Sequence, residues 1–145
     1  MSQTSARNIV VTTDRSRLDL DVIHGFLTMS YWARGVSRDV VARSIEHSLC
    51  FGAFDGGRQV GFARVVSDRA TFAYICDVFA LESHRGRGVG KSLMAAIMSH
   101  PELQGLRRWT LFTRDAHGLY RQFGFGAAGQ PERLMEVVAR DPYRA

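Results

Sequence analysis

The apolar positions of the chain switch between two periods, and the switches mark its elements. "NIVVTT" (8–13) is a β-branched run of strand character. In "LDLDVIHGFLTMSYW", Leu20, Ile23, Leu27 and Tyr31 recur at helical spacing, and "WARG" breaks the run. Ser37 is placed to cap a second helix through His47, with Val41, Ile45 and Ser48 on one side. "LCFGAF", "DGG" and "QVGFARVV" then read as a β-hairpin. "TFAYICDVFAL" (71–81) is apolar on both faces, as a central strand is. After a glycine-rich loop, Val89, Leu93 and Ile97 predict a helix, with Pro101 beyond its end. "RRWTLFT" predicts a strand, Ala116, Leu119, Tyr120 and Phe123 a short helix, and "LMEVVA" a last strand.

The order is β-αα-βββ-α-β-α-β, a mixed α/β class with a strand–loop–helix crossover in its middle. Such a crossover puts a ligand at the carboxyl end of a strand and the start of a helix. The sequence shows no repeat, linker or low-complexity stretch, so residues 1–145 are read as one domain with one core. Hydrophobic and charged fractions of 46% and 23% are those of a globular protein. The longest apolar stretch is interrupted by Asp77 and falls short of the roughly 20 residues a membrane span needs. No N-terminal leader pattern is present, and Cys50 and Cys76 lack metal or redox spacing, so a cytoplasmic protein with reduced thiols is expected. The net charge of +5 fits a plain solvated basic surface first and a small polyanionic ligand second. It does not point to nucleic acid, because no basic run is interleaved with aromatics and no DNA-binding motif occurs.

The crossover loop lies in "HRGRGVGKSLM" (84–94). A nucleotide P-loop has four residues between its two glycines, which with Gly90-Lys91-Ser92 puts the first at position 85, and that place holds Arg85. The dinucleotide pattern fails too, since the glycines run 86, 88, 90 and Lys91 follows. A glycine turn opening a helix still offers free N–H groups to an anion. The loop is therefore expected to hold a phosphate in another way.

Arg85-Gly86-Arg87-Gly88-Val89-Gly90, followed after one strand by Ala116, Leu119, Tyr120, Gly124 and Phe125, resembles the GNAT superfamily of acetyl-CoA-dependent N-acetyltransferases. The family's loop reads [QR]-x-x-G-x-[GA], and its later helix carries A-x-x-L-Y followed by G-F. The resemblance implies a mostly antiparallel sheet, flanked by helices, that splays after its fourth strand. Acetyl-CoA is the implied cosubstrate. The backbone at Val78, Phe79 and Ala80 would pair with the pantetheine arm, and Arg85 to Lys91 would hold the pyrophosphate. Ala116 and Thr113 would border the same arm; Thr113 stands where many members have Asn. Glu82 stands where many have Pro.

Acetyl transfer to an amine needs a neutral nucleophile, a donor for the carbonyl oxygen and a proton for the departing thiolate. The resemblance gives the third task to Tyr120, whose phenol has the required acidity. Asp77, an acid inside an apolar strand, is expected either to accept the amine's proton or to hold a neighbouring loop. Glu46, His24, His47 and His84 are weaker candidates for the base. In this family the segment between the first helices borders the acceptor, which nominates Tyr31, Trp32 and Arg34; Arg34 would suit an acceptor carboxylate. Glu136 is expected at the cleft border. The implied activity is transfer of an acetyl group to a primary amine of a small molecule, amino acid or peptide, without metal, by a monomer or homodimer. A non-catalytic acyl-CoA-binding module is the alternative, and the presence of Tyr120 speaks against it.

Overall fold

The computed structural model describes residues 8–143. Strand β1 (Ile9–Thr12) is followed by helices α1 (Leu20–Leu27) and α2 (Arg38–Glu46). Strands β2 (Leu49–Asp55), β3 (Arg58–Ser67) and β4 (Phe72–Ala80) come next, then α3 (Val89–Ser99), β5 (Arg108–Leu111) and α4 (His117–Arg121). Asp19 caps α1 by accepting from the N–H groups of Asp21 and Val22, and Ser37 caps α2 through Val40 N–H. Helix α1 stops four residues short of Tyr31. Ser30 hydroxyl donates to Leu27 carbonyl and accepts from Ala33 N–H, and Gly35, at φ +84°, returns its N–H to Thr28 carbonyl. These bonds fold 28–36 into a compact loop, a local polar competition that periodicity does not register.

The five strands lie in sequence order. Neighbours are antiparallel except β4 and β5, which are parallel from Phe72↔Arg108 to Ile75↔Leu111. Beyond Ile75, β4 continues to Ala80 without β5 beside it, and this parting is the splay the resemblance implied. On one face, α3 presses Leu93, Met94 and Ile97 onto Phe51, Val65 and Ile75. On the other, α1 and α2 enclose Ile23, Leu27 and Val41 with Phe62 and Phe79. Each layer buries a whole helix stripe, the main source of the fold's stability.

Strand β4 changes phase at Asp77. Arg64 stands opposite Cys76, whereas Phe62 stands opposite Phe79, so three steps on β4 match two on β3. The extra residue, Asp77, takes φ +56°, which makes this a β-bulge. Before it, Ala73 and Ile75 face α3; after it, Val78 and Ala80 do, while Phe79 stacks on Phe26 of α1 with ring centroids 4.0 Å apart.

The expected last strand does not form. Residues 134–139 are exposed and carry no strand pairing, so the sheet has five strands among the described residues. The run has strand composition, but a strand exists only by pairing, and none of the described residues pairs with it.

Candidate functional site

The site forms where β4 leaves β5. At the end of β4, residues 82–84 make a short 3-10 turn and Arg85 to Gly88 a further turn, and Val89 opens α3. Gly86 and Gly88 sit at φ +77° and +80°, conformations only glycine takes cheaply. Among the described residues, the backbone N–H groups of 86 to 91 donate to no protein acceptor; the first helical bond runs from Ser92 N–H to Gly88 carbonyl. Successive free amides in turn conformation, at the positive end of a helix, make a concave anion site. Arg85, Arg87 and Lys91 are exposed around it.

Three contacts hold the loop in place. His84 is buried, with Nε2 2.9 Å from Asp55 Oδ2 and Nδ1 2.8 Å from Ser83 Oγ, which ties the loop to the end of β2. Gly61 on β3 lets Val89 approach: a Cβ there would lie 2.6 Å from Val89 Cγ1. Gly90 lets α3 meet α4, since its Cβ would stand 3.2 Å from Leu119 Cδ2. Gly90 therefore serves helix packing through its missing side chain, while its N–H belongs to the free row.

Tyr120, from α4, is 8% exposed, its ring edge-on to Phe125. Its hydroxyl has no hydrogen-bond partner among the described residues, and it is not sealed in the core. Burial raises its phenol above 10, with Tyr31 and Asp115 adding to the effect, so the proton stays on at neutral pH. Thr113 hydroxyl accepts from Ala116 N–H at 2.9 Å and so shapes the entry to α4.

On the α1–α2 side, Asp77 is a paired carboxylate. Arg64 Nε donates to Oδ2 and Trp32 Nε1 to Oδ1, both at 2.8 Å. The two ion-pair side chains are 19% and 11% exposed. Burial, the largest single influence, works against the Arg64 charge, but the charge and hydrogen bond of Asp77 together with Cys76 and Cys50 outweigh it, and the guanidinium holds its proton more tightly. With an acceptor bond on each oxygen, Asp77 pins Trp32 to the sheet, the loop-holding alternative of the two expected for it. Tyr31 spans the gap to the β5–α4 loop: its hydroxyl accepts from Arg114 N–H at 3.2 Å, and the Arg114 guanidinium lies 3.8 Å over its ring. A cavity of about 260 Å³ opens beside this cluster. Leu27, Val36, Val40 and Val41 form its apolar wall, and Ser44, Arg64, Tyr74 and Asp77 its polar side. Arg34 is exposed and does not line it. His24 bonds Val36 carbonyl at 3.0 Å, and the Glu46 and His47 side chains are exposed. Glu136 lies close enough to Tyr74 to contribute, as a minor cause, to raising its phenol.

Contacts thus link Tyr31 to Trp32 and Trp32 to Asp77, Tyr31 lies near enough to Tyr120 to act on its phenol, the loop meets α4 at Gly90 and Leu119, and Arg34 lies outside the cavity. Sequence reasoning missed Arg64, Arg114, Gly61 and His84–Asp55. Arg64 carried a readable signal, being a lone charge in the apolar run "QVGFARVV", as Asp77 is in its own strand. Among the described residues no group of three His, Cys, Asp or Glu is placed to hold a metal.

Comparison with known proteins places the fold in a family. The sequence profile of the acetyltransferase (GNAT) family matches residues 20–125. A Gibberella zeae protein bearing the name of an acetyltransferase is 30% identical over 134 residues, which is 77% of this chain and 75% of that one. Serotonin N-acetyltransferase 2 of Oryza sativa subsp. japonica, a chloroplast protein, is 28% identical over 131 residues, covering 86% of this chain and 64% of that one. A crystal structure from Xanthomonas campestris pv. campestris, assigned to the GNAT family, superposes with a TM-score of 0.92 at 53% identity, over 94% of this chain and 97% of that one. The chain belongs to the acetyltransferase (GNAT) family, whose enzymes take their acetyl group from acetyl-CoA.

Proposed function

We propose that this chain transfers the acetyl group of acetyl-CoA to a primary amine by direct attack within a ternary complex. One observation carries the reading: a row of unpartnered amides follows, one short turn on, the strand that parts from its neighbour, with an unpartnered phenol hydroxyl on the adjoining helix. The residues present fit CoA. The N–H groups of 86 to 91 would hold its pyrophosphate, and Arg85, Arg87 and Lys91 would add positive field. Gly86 is exposed, and a Cβ there would meet nothing within 4 Å, so the approach to the loop is open. The backbone of Val78, Phe79 and Ala80, freed from β5, would line the pantetheine, with Thr113 and Ala116 across the gap. Bound there, acetyl-CoA supplies an activated thioester.

In the reaction the amine nitrogen forms a bond to the acetyl carbon and the carbon–sulfur bond breaks. Tyr120 gives its proton to the departing sulfur and regains one, through solvent, from the amine. A backbone N–H near Phe79 or Ala80 donates to the carbonyl oxygen. Trp32 and Tyr31, held by Asp77 and Arg114, wall the acceptor side. A cavity of about 260 Å³ with an apolar wall suits a small amine with an apolar body better than a polypeptide. The rice relative's name, that of an enzyme acting on serotonin, supports this choice. Two free thiols pushed up by burial suit a reducing cytoplasm.

The test is a panel of primary amines with acetyl-CoA, read by thiol release. Arylalkyl and alkyl amines are expected to turn over faster than amino acids or peptide N-termini. Binding of CoA without turnover of any amine would favour the acyl-CoA-binding module instead.

A further inference from the structure

The polar side of the acceptor cavity holds groups that acetyl transfer itself does not use. Alternation along β3 and β4 sends Val65, Ala73 and Ile75 to α3, and so Arg64 and Tyr74 to the other face, where both line the cavity. Arg64 donates Nε–H to Asp77 at 2.8 Å and Nη1–H to the Ser48 hydroxyl at 3.1 Å. Its Nη2 has no hydrogen-bond partner among the described residues and is not sealed in the core; the same holds for the Tyr74 hydroxyl. Two unmet polar groups on adjoining strands therefore face an apolar wall of Leu27, Val36, Val40 and Val41. In an apolar pocket, a few polar groups of this kind fix which way round a ligand lies.

Resting on the acetyltransferase reading above, we propose that the acceptor is an arylalkylamine with an uncharged hydroxyl at the end remote from its nitrogen, selected by Arg64 Nη2 and the Tyr74 hydroxyl. The nitrogen belongs at the Asp77 end of the cavity, beside residues 78–80. Tyr74 lies three residues back along β4, roughly 10 Å away, and Arg64 stands opposite Cys76 between them. A ring on a two-carbon chain, hydroxylated opposite that chain, spans such a gap. Charge decides the kind of oxygen. Arg64 and Asp77 are the charged residues lining the cavity, and they neutralise each other at 2.8 Å. A remote carboxylate or second ammonium would enter without a counterion, which an apolar wall penalises. A hydroxyl accepts from Arg64 and bonds Tyr74 in either sense. Burial raises the Tyr74 phenol above its usual 10, so at neutral pH it too is an uncharged donor.

Three probes differ only opposite the chain: phenethylamine, its para-hydroxyl derivative and its para-carboxyl derivative. With the full chain and saturating acetyl-CoA, kcat/KM for the hydroxyl form is expected to exceed that for the parent roughly 10–100-fold, with the carboxyl form below the parent. Calorimetric titration of the same amines into the CoA-saturated protein should give the same order, which reads the pocket independently of turnover. Tyr74→Phe keeps the ring against Phe112 and should shrink the hydroxyl preference about 3–10-fold. Arg64→Lys keeps a cation for Asp77, removes the second donor nitrogen and should bring the preference within about twofold. Tyr74→Phe breaks no hydrogen bond within the protein, so it decides alone if Arg64→Lys misfolds. Equal kcat/KM for hydroxyl form and parent, or a preference that Tyr74→Phe leaves intact, overturns the inference and leaves the acetyltransferase reading standing. Preference for the carboxyl form overturns it as well, as does failure of all three amines to bind. A hydroxyl preference in binding with no turnover of any amine supports the subsite and removes the transfer reading instead.

Discussion

Tyr120 is buried as a ring and open as a hydroxyl, which separates its two roles experimentally. Tyr120→Phe keeps the contact with Phe125 and removes only the oxygen, so stability should move little. Single-turnover acetylation should slow by about 10²–10⁴-fold while CoA affinity changes far less. A folded variant with full single-turnover rate would assign sulfur protonation to water. At Gly88 the two effects of a substitution coincide. Its φ of +80° costs an L-residue roughly 1–2 kcal/mol, and an aspartate would bring negative charge to the amide row. Gly88→Asp should abolish CoA binding by calorimetry in a protein that still folds; unchanged affinity would move the pyrophosphate elsewhere.

Elements follow from the sequence where burial enforces one period and fail where it does not. Helix α3 and strand β4 were legible because each is covered along most of its length, so every apolar position reports packing. The turn before α3 was legible from glycine spacing, with Gly86 and Gly88 at positive φ. Tyr31 was misplaced on α1 because hydrogen bonds of Ser30, rather than apolar contact, end that helix. The 134–139 strand was misread because its composition calls for a partner that the described residues do not supply. Pairings across elements, such as Arg64 with Asp77 or His84 with Asp55, depend on register and are invisible to any window along the chain. The close approach of β3 to α3 yields its own test. Gly61→Val would drive Val89 and the loop outward, with an overpacking cost of about 1–3 kcal/mol. CoA affinity should fall along with the melting temperature. Gly57→Ala, at a site with nothing within 4 Å, is the control and should change neither.

For the whole molecule, the buried thiols set an alkaline limit. Burial pushes Cys50 from 9.0 up to about 11 and Cys76 up to about 12, and Tyr120 also titrates above its usual 10. The unfolded chain loses these protons first, so it binds fewer protons than the fold. Stability is therefore full below about pH 9 and falls as pH rises through the folded values. Between pH 9 and 11 each thiol should remove about 1.4 kcal/mol per pH unit, seen as a dropping urea midpoint. Cys76→Ala should flatten that drop; an unchanged slope would assign the loss to other groups. The bulge at Asp77 has a consequence of another sort. Ala73 and Ile75 face α3 before it and Val78 and Ala80 after it, so the strand is read in two frames joined by a single residue. Deleting Asp77 would straighten the strand, set Val78 opposite Ala63 and leave every remaining side chain on its own layer, with Phe79 still on Phe26. The shortened strand should therefore still fold, and what it loses is the carboxylate that ties Trp32 to Arg64.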